Sequence, residues 1–296
     1  MKAALVVVAA AAAAHAAAVV LPRVATALST AQVAAFKPYS YFAGAGYCAP
    51  NATIEWSCGP NCDALQGFIP TATGGDGVLV QFWFVGYYPA LKSVVVAHQG
   101  TDTSKVIPLL NDADFVLDPL NKRLFPGLPS DIRIHSGFKR IHEQSAPAVL
   151  AAVKAAMAAH GTTQVTLASH SLGAALSLLD AVYLQLHLPA STSIKYVGYG
   201  VPRVGNPAWA QWVDAHVTDL KHVNNKQDPV PILPGRFLGY QHPSGEIHIN
   251  SAGRWLGCTG RDDTSSGCTI DAVTTIFDGD ANDHKGPYDG VRIECD

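Results

Sequence analysis

TLASHSLGAALSLL, residues 166 to 179, passes from an apolar run through a cluster of small residues into an Ala/Leu-rich run. The first run, Gln164 to Ser169, reads as a strand buried on both faces, and Leu172 to Leu186 reads as a helix. Ser171 sits at the join. A serine there is either a helix cap or a nucleophile on a tight strand-to-helix turn. The turn pattern G-x-S-x-G asks for small residues on both sides because strand and helix approach closely. Gly173 meets it, and Ser169 stands where the pattern has glycine. At the helix start, the backbone N–H of Leu172 is a natural donor to a substrate oxygen. Deciding between cap and nucleophile requires a base, an acid and a second oxyanion donor elsewhere in the chain.

Outward from this turn the chain alternates. Leu79 to Val85 and Ser93 to His98 read as strands, Pro147 to His160 as a helix, and Ser193 to Tyr199 as a strand. Ala208 to His216 reads as a helix and Leu220 to Asn224 as a strand. Strands interleaved with helices predict an α/β fold, a mostly parallel central sheet with helices on both faces. No internal repeat, linker or composition shift divides the chain, so residues 22–296 read as one domain.

An acid belongs at the C-terminal end of a later strand. Asp228, in Asp228-Pro229-Val230-Pro231 after strand 220–224, holds that position, and the prolines stiffen its loop. Asp214 and Asp219 are weaker candidates. Among twelve histidines, His284 lies late, in a polar, turn-rich loop from which a mobile imidazole could reach a site. It is the preferred base, with His242 second. His170 must point away from substrate if Ser171 points toward it. After strand 93–98, Gln99-Gly100-Thr101 allows a tight turn, and Thr101 offers an N–H and a hydroxyl for an oxyanion.

A net charge of −3 and the lack of any Lys/Arg run argue against a nucleic-acid partner. The N-terminus has Lys2, an apolar run from Leu5 to Ala14 and small residues around His15, the pattern of a secretory signal over about residues 1–21. A membrane anchor is the rival reading, weakened by the alanine content and by His15. An even set of six cysteines fits export. Proximity pairs Cys58 with Cys62 and Cys258 with Cys268, leaving Cys48 for Cys295. No histidine stands at finger-like spacing to them, so no metal is expected there. Asn51-Ala52-Thr53 is a glycosylation sequon. Asp278-Gly279-Asp280-Ala281-Asn282 begins like a calcium loop, but Asp283 replaces the required glycine. A turn that positions His284 is the better reading, and no cofactor is expected.

Taken together, these pieces resemble the fungal class 3 lipase family. Tyr47-Cys48 and Trp56-Ser57-Cys58 resemble its N-terminal cysteine block, and Gly100-Thr101 its oxyanion turn. Ile134-His135-Ser136-Gly137-Phe138, Ser169 to Gly173, Gly200 to Asn206 (GVPRVGN), Asp228 to Pro231 and Asp283-His284 with Tyr288 follow in the family's order. The resemblance implies an α/β-hydrolase fold and a secreted carboxylic ester hydrolase. It implies Ser171 as nucleophile, Asp228 as orienting acid, His284 as base, and Thr101 with Leu172 as oxyanion donors. It also implies a lid after the oxyanion turn, where Val106, Ile107, Leu109 and Leu110 are apolar. Gln99 departs from the family's usual arginine. The expected partner is a lipid ester at an oil–water or membrane surface, with no obligate protein partner. A plant-wall esterase such as a feruloyl esterase is the nearest alternative, and an inactive binding protein the next.

Overall fold

Alternating side chains organise the molecule. In the run Ser93–His98, Val94 and Val96 face one side of a sheet while Val95 and Ala97 face the other, as the two-residue period of a strand requires. Two apolar cores result, one on each side of the sheet. Residues 25–101 and 115–295 are described, in a computed structural model. The expected signal segment and the lid residues Val106, Ile107, Leu109 and Leu110 lie outside them.

In chain order the elements begin with β1 (Thr26–Ala27), α1 (Thr30–Ala34), α2 (Lys37–Ala45), α3 (Pro50–Ile54) and α4 (Pro60–Asp63). Then come β2 (Ile69–Gly74), β3 (Trp83–Tyr88), β4 (Ser93–His98), β5 (Leu117–Pro119) and β6 (Arg133–His135). Next are α5 (Ser136–His160), β7 (Gln164–His170), α6 (Ser171–His187), β8 (Ser193–Tyr199), α7 (Pro207–His216) and β9 (Asp219–Asn225). The last are β10 (Glu246–Ile249), β11 (Trp255–Gly257) and α8 (Thr269–Ala272). Nine strands form one sheet in the order β1-β11-β10-β9-β8-β7-β4-β3-β2. Its centre, β10 to β4, is parallel, and both edges are antiparallel. The expected α/β architecture stands, with antiparallel borders added to the parallel centre.

Some expected boundaries move. Leu79 to Phe82 are not in a strand; they belong to the β2–β3 hairpin tip, and the strand begins at Trp83. The helix expected from Pro147 begins at Ser136, with Pro147 inside it. Pro147 lies on the exposed side of the helix, where one lost backbone bond is tolerated. The three disulfides join Cys48–Cys295, Cys58–Cys62 and Cys258–Cys268, the pairs proximity suggested.

Candidate active site

Ser171 is the first residue of α6 and has a φ of 58°, a left-handed conformation that serine adopts only under constraint. The constraint is close packing. A Cβ on Gly173 would strike the His98 carbonyl oxygen and lie 2.8 Å from the Gln99 carbonyl carbon. Backbone at the end of β4, His98 and Gln99, therefore rests directly on the first turn of the helix. Ser169, where the pattern has glycine, uses its hydroxyl locally: it accepts from the His98 N–H at 2.9 Å and bonds the Ser177 hydroxyl at 2.7 Å. The departure from the motif thus binds β7 to the end of β4. Leu172 is the second residue of the helix, where backbone N–H groups have no partner within the helix.

Asp228 follows β9, buried, with Oδ1 accepting from the Val230 N–H at 2.9 Å. Its Oδ2 accepts from His284 Nδ1 at 2.8 Å. That bond fixes the tautomer, leaving His284 Nε2 as a lone pair. His284 Nε2 and Ser171 Oγ are both buried and without a hydrogen-bond partner among the described residues. His284 packs on His170, the residue before Ser171, with ring centroids 4.3 Å apart.

The loop carrying His284 is tied to its neighbours by hydrogen bonds. Asn225 Nδ2 donates to the Asp283 carbonyl at 2.9 Å, and the Asp280 N–H to the Gln227 carbonyl at 2.7 Å. The His284 carbonyl accepts from His170 Nε2 at 2.7 Å and from the Tyr288 hydroxyl at 3.1 Å. Burial, and next the neighbouring His284, holds the His170 imidazole well below its ordinary range, so it stays neutral. With Nε2–H donating, Nδ1 is free to accept from the Tyr47 hydroxyl at 2.6 Å. Tyr47 in turn occupies the space a Cβ on Gly100 would need. A chain from Gly100 through Tyr47 and His170 to His284 therefore links the turn after β4 to the Asp228–His284 pair.

Sequence reasoning gave no role to Gly200. It has a φ of 53°, and a Cβ there would lie 2.9 Å from both Asp228 Oδ2 and His284 Nδ1. Arg203, in the same motif, is buried against Asp262 at 2.9 Å and donates to the Pro234 carbonyl at 2.9 Å. It pins the loop that follows Asp228. The weaker candidates fall elsewhere. Burial, then Arg203, pushes the His242 imidazole down to about 3, and its Nε2 is engaged with the Pro231 carbonyl. Asp214 pairs with Arg261 and Asp219 with Lys195. Asp278 binds Thr274 and Thr275, and Asp280 caps Asn282, so both serve local turns. Of the expected oxyanion pair, Thr101 is half-buried at the end of its described segment. An apolar cavity of about 730 Å³ lies between the loops after Asp228 and before His284, lined by Ile232, Leu233, Leu238, Val273 and Ile276; no triad residue lines it.

The family profile described as Lipase (class 3) matches residues 95–238. A secreted mono- and diacylglycerol lipase of Malassezia globosa is 34% identical over 225 residues, covering 75% of this chain and 71% of that protein. Among solved structures, lipase II of Rhizopus niveus superposes with a TM-score of 0.77 at 24% identity, covering 92% of this chain and 99% of that one. The Lip2 lipase of Yarrowia lipolytica gives 0.77 at 20% identity, covering 92% and 97%.

Proposed function

The chain belongs to the fungal class 3 lipase family, and we propose that it cleaves the ester bonds of acylglycerols, mono- and diacylglycerols among them, with Ser171, Asp228 and His284. The observation that carries this reading is the Asp228–His284 hydrogen bond at 2.8 Å, beside which His284 Nε2 and Ser171 Oγ are each buried and left without a partner among the described residues.

His284 Nε2 takes the Ser171 proton as Oγ bonds the ester carbonyl carbon. Negative charge moves to the carbonyl oxygen, which meets the Leu172 N–H and the N–H or hydroxyl of Thr101. The C–O bond to the glycerol breaks, and the same imidazole returns its proton to the leaving alcohol oxygen. Water, deprotonated by His284, then attacks the acyl-enzyme and releases the acid. The apolar cavity beside the acid and base loops suits an acyl chain.

Secretion is part of the proposal, supported by the N-terminal pattern, the three disulfides and the secreted relative. Asn51 is exposed on α3 and open to a glycan. One sheet running from Thr26 to Gly257 supports a single domain over residues 22–296.

An ester panel tests the reading: emulsified mono-, di- and triacylglycerols, dissolved short-chain esters and methyl ferulate. Acylglycerol cleavage is expected to dominate, and Ser171→Ala is expected to lower turnover about a millionfold, roughly 8 kcal/mol. Preference for methyl ferulate would reassign the enzyme to plant-wall esters. Near-normal turnover by Ser171→Ala would remove the triad.

A further inference from the structure

The β2–β3 hairpin tip, residues 75–82, presents Val78 and Leu79 to solvent at 80% and 70% exposure. Their apolar area is free to leave water when something apolar meets the tip. We propose that Val78 and Leu79 insert into the surface of aggregated lipid and dock the substrate end of the sheet onto it. The proposal rests on the lipid reading above and names the surface contact that reading needs.

Position supports it first. β3 is antiparallel to β4, with Trp83 opposite His98, and β4 is parallel to β7, which ends in the Ser171 turn. The tip therefore projects from the same end of the sheet as the nucleophile and the oxyanion turn. Its base is joined to that turn directly. The Gln99 N–H donates to the Phe82 carbonyl at 2.7 Å, and Gln99 Oε1 accepts from the Phe82 N–H at 3.1 Å. Gln99, the departure from the family's arginine, thus splices the hairpin tip to the oxyanion segment.

Rigidity supports it second. Asp76 Oδ1 accepts from the N–H groups of Val78 and Leu79 at 2.8 Å and of Val80 at 2.9 Å. The Val80 carbonyl accepts from the N–H groups of Asp76 and Gly77, each at 2.9 Å. The N–H groups of residues 76–80 are all satisfied within the loop, so its outer apolar side chains can enter lipid without dragging those donors along unpaired.

The occupant follows from size and charge. Two side chains bury far less than the roughly 1,000 Å² a stable protein interface needs, so a second copy of the chain does not fit. A lipid surface asks for apolar area without shape complementarity. Residues 75–82 contain Asp76 and no cation, so the anchor is hydrophobic and needs no anionic headgroup.

The test is the full chain carrying Val78→Ser and Leu79→Ser. Its turnover of dissolved p-nitrophenyl acetate is expected to match the parent. In a Ser171→Ala background, binding to phosphatidylcholine vesicles doped with dioleoylglycerol should fall about 100-fold, roughly tenfold per side chain, and equally at low and high salt. A separate Leu79→Trp variant keeps the tip apolar, and the fluorescence of its added indole should be quenched by brominated acyl chains. Unchanged vesicle binding, an added indole that escapes quenching or parallel loss of p-nitrophenyl acetate turnover would each overturn the proposal. A parent that binds vesicles through the tip but cleaves no acylglycerol would leave the anchor standing and remove the proposed substrate.

Discussion

Gly200 has no functional group, yet the acid–base pair is built around its missing side chain. A methyl group there would press on Asp228 Oδ2 and His284 Nδ1 at 2.9 Å, and the φ of 53° would itself cost an alanine about 1–2 kcal/mol. Gly200→Ala is therefore expected to fold with a lowered Tm and to lose turnover about 100-fold, the scale of a displacement near 1 Å at a catalytic group. Rates normalised to phosphonate-titrated sites would separate that loss from unfolding; a titrated rate equal to the parent would show that the pair tolerates the methyl. Ser171, Asp228 and His284 could be proposed from sequence because only a few residue types do this chemistry and their order along the chain follows the hydrolase pattern. Gly200 was not, because its importance lies in two side chains 28 and 84 residues away that converge on it. Tyr47 was likewise hidden: its bond to His170 spans 123 residues.

At the scale of elements, three of them meet in a buried carboxylate shared by two imidazoles. Asp180 on α6 accepts from His98 Nε2 on β4 at 2.6 Å and from His142 Nε2 on α5 at 2.9 Å, all three side chains being buried. This clamps the strand that leads into the oxyanion turn to the helix that begins at Ser171. Burial alone would raise the Asp180 carboxyl; the bonds from His142 and His98 outweigh it and hold the group at about 2, below its usual 3.8. A carboxyl lowered in the folded state adds stability above its unfolded value and loses it as pH falls through its folded value. Asp180 therefore contributes about 2 kcal/mol at neutral pH that drains away between about pH 4 and 2. Asp180→Asn should cost about 3–5 kcal/mol at pH 7, because it breaks a buried charged network. It should also flatten the acid limb of stability, a slope that urea unfolding at stepped pH would reveal. Sequence reading found the strands Ser93–His98 and Ser193–Tyr199 with their observed limits, because uninterrupted runs rich in apolar residues leave little else to form. It misplaced Leu79 because an apolar residue in a rigid, solvent-facing loop looks locally like a strand residue. It read none of α1 to α4, which are short and owe their place to partners far along the chain, as when Phe42 packs on Phe68, Phe84 and Tyr88.

Across the whole molecule, the proposed base, His284, lies far along the sequence, and the residues after it are held against the first part of the fold. The Cys48–Cys295 bond does this over 247 residues. Beside it, Asn61 Nδ2 donates to the Glu294 carbonyl at 2.7 Å, and the Ile293 N–H donates to the Lys285 carbonyl at 3.0 Å, directly after His284. Buried Tyr288, whose hydroxyl bonds the His284 carbonyl, packs on Tyr199 at the end of β8 with ring centroids 4.9 Å apart. Stability and catalysis therefore share one closure. Replacing both cysteines by serine removes a cross-link worth about 5 kcal/mol by loop entropy, with about 2–5 kcal/mol typical when a native disulfide is lost. Because the freed terminus backs His284, thermal loss of activity should run ahead of loss of the central sheet. In the parent, both should melt together. Residual ester hydrolysis and far-ultraviolet circular dichroism, followed on one temperature ramp, would separate the two. Coincident curves in the variant would mean that His284 is held by its bonds to Asp228, His170 and Tyr288 and by the Asn225–Asp283 bond beside it, and that the disulfide serves only the global fold.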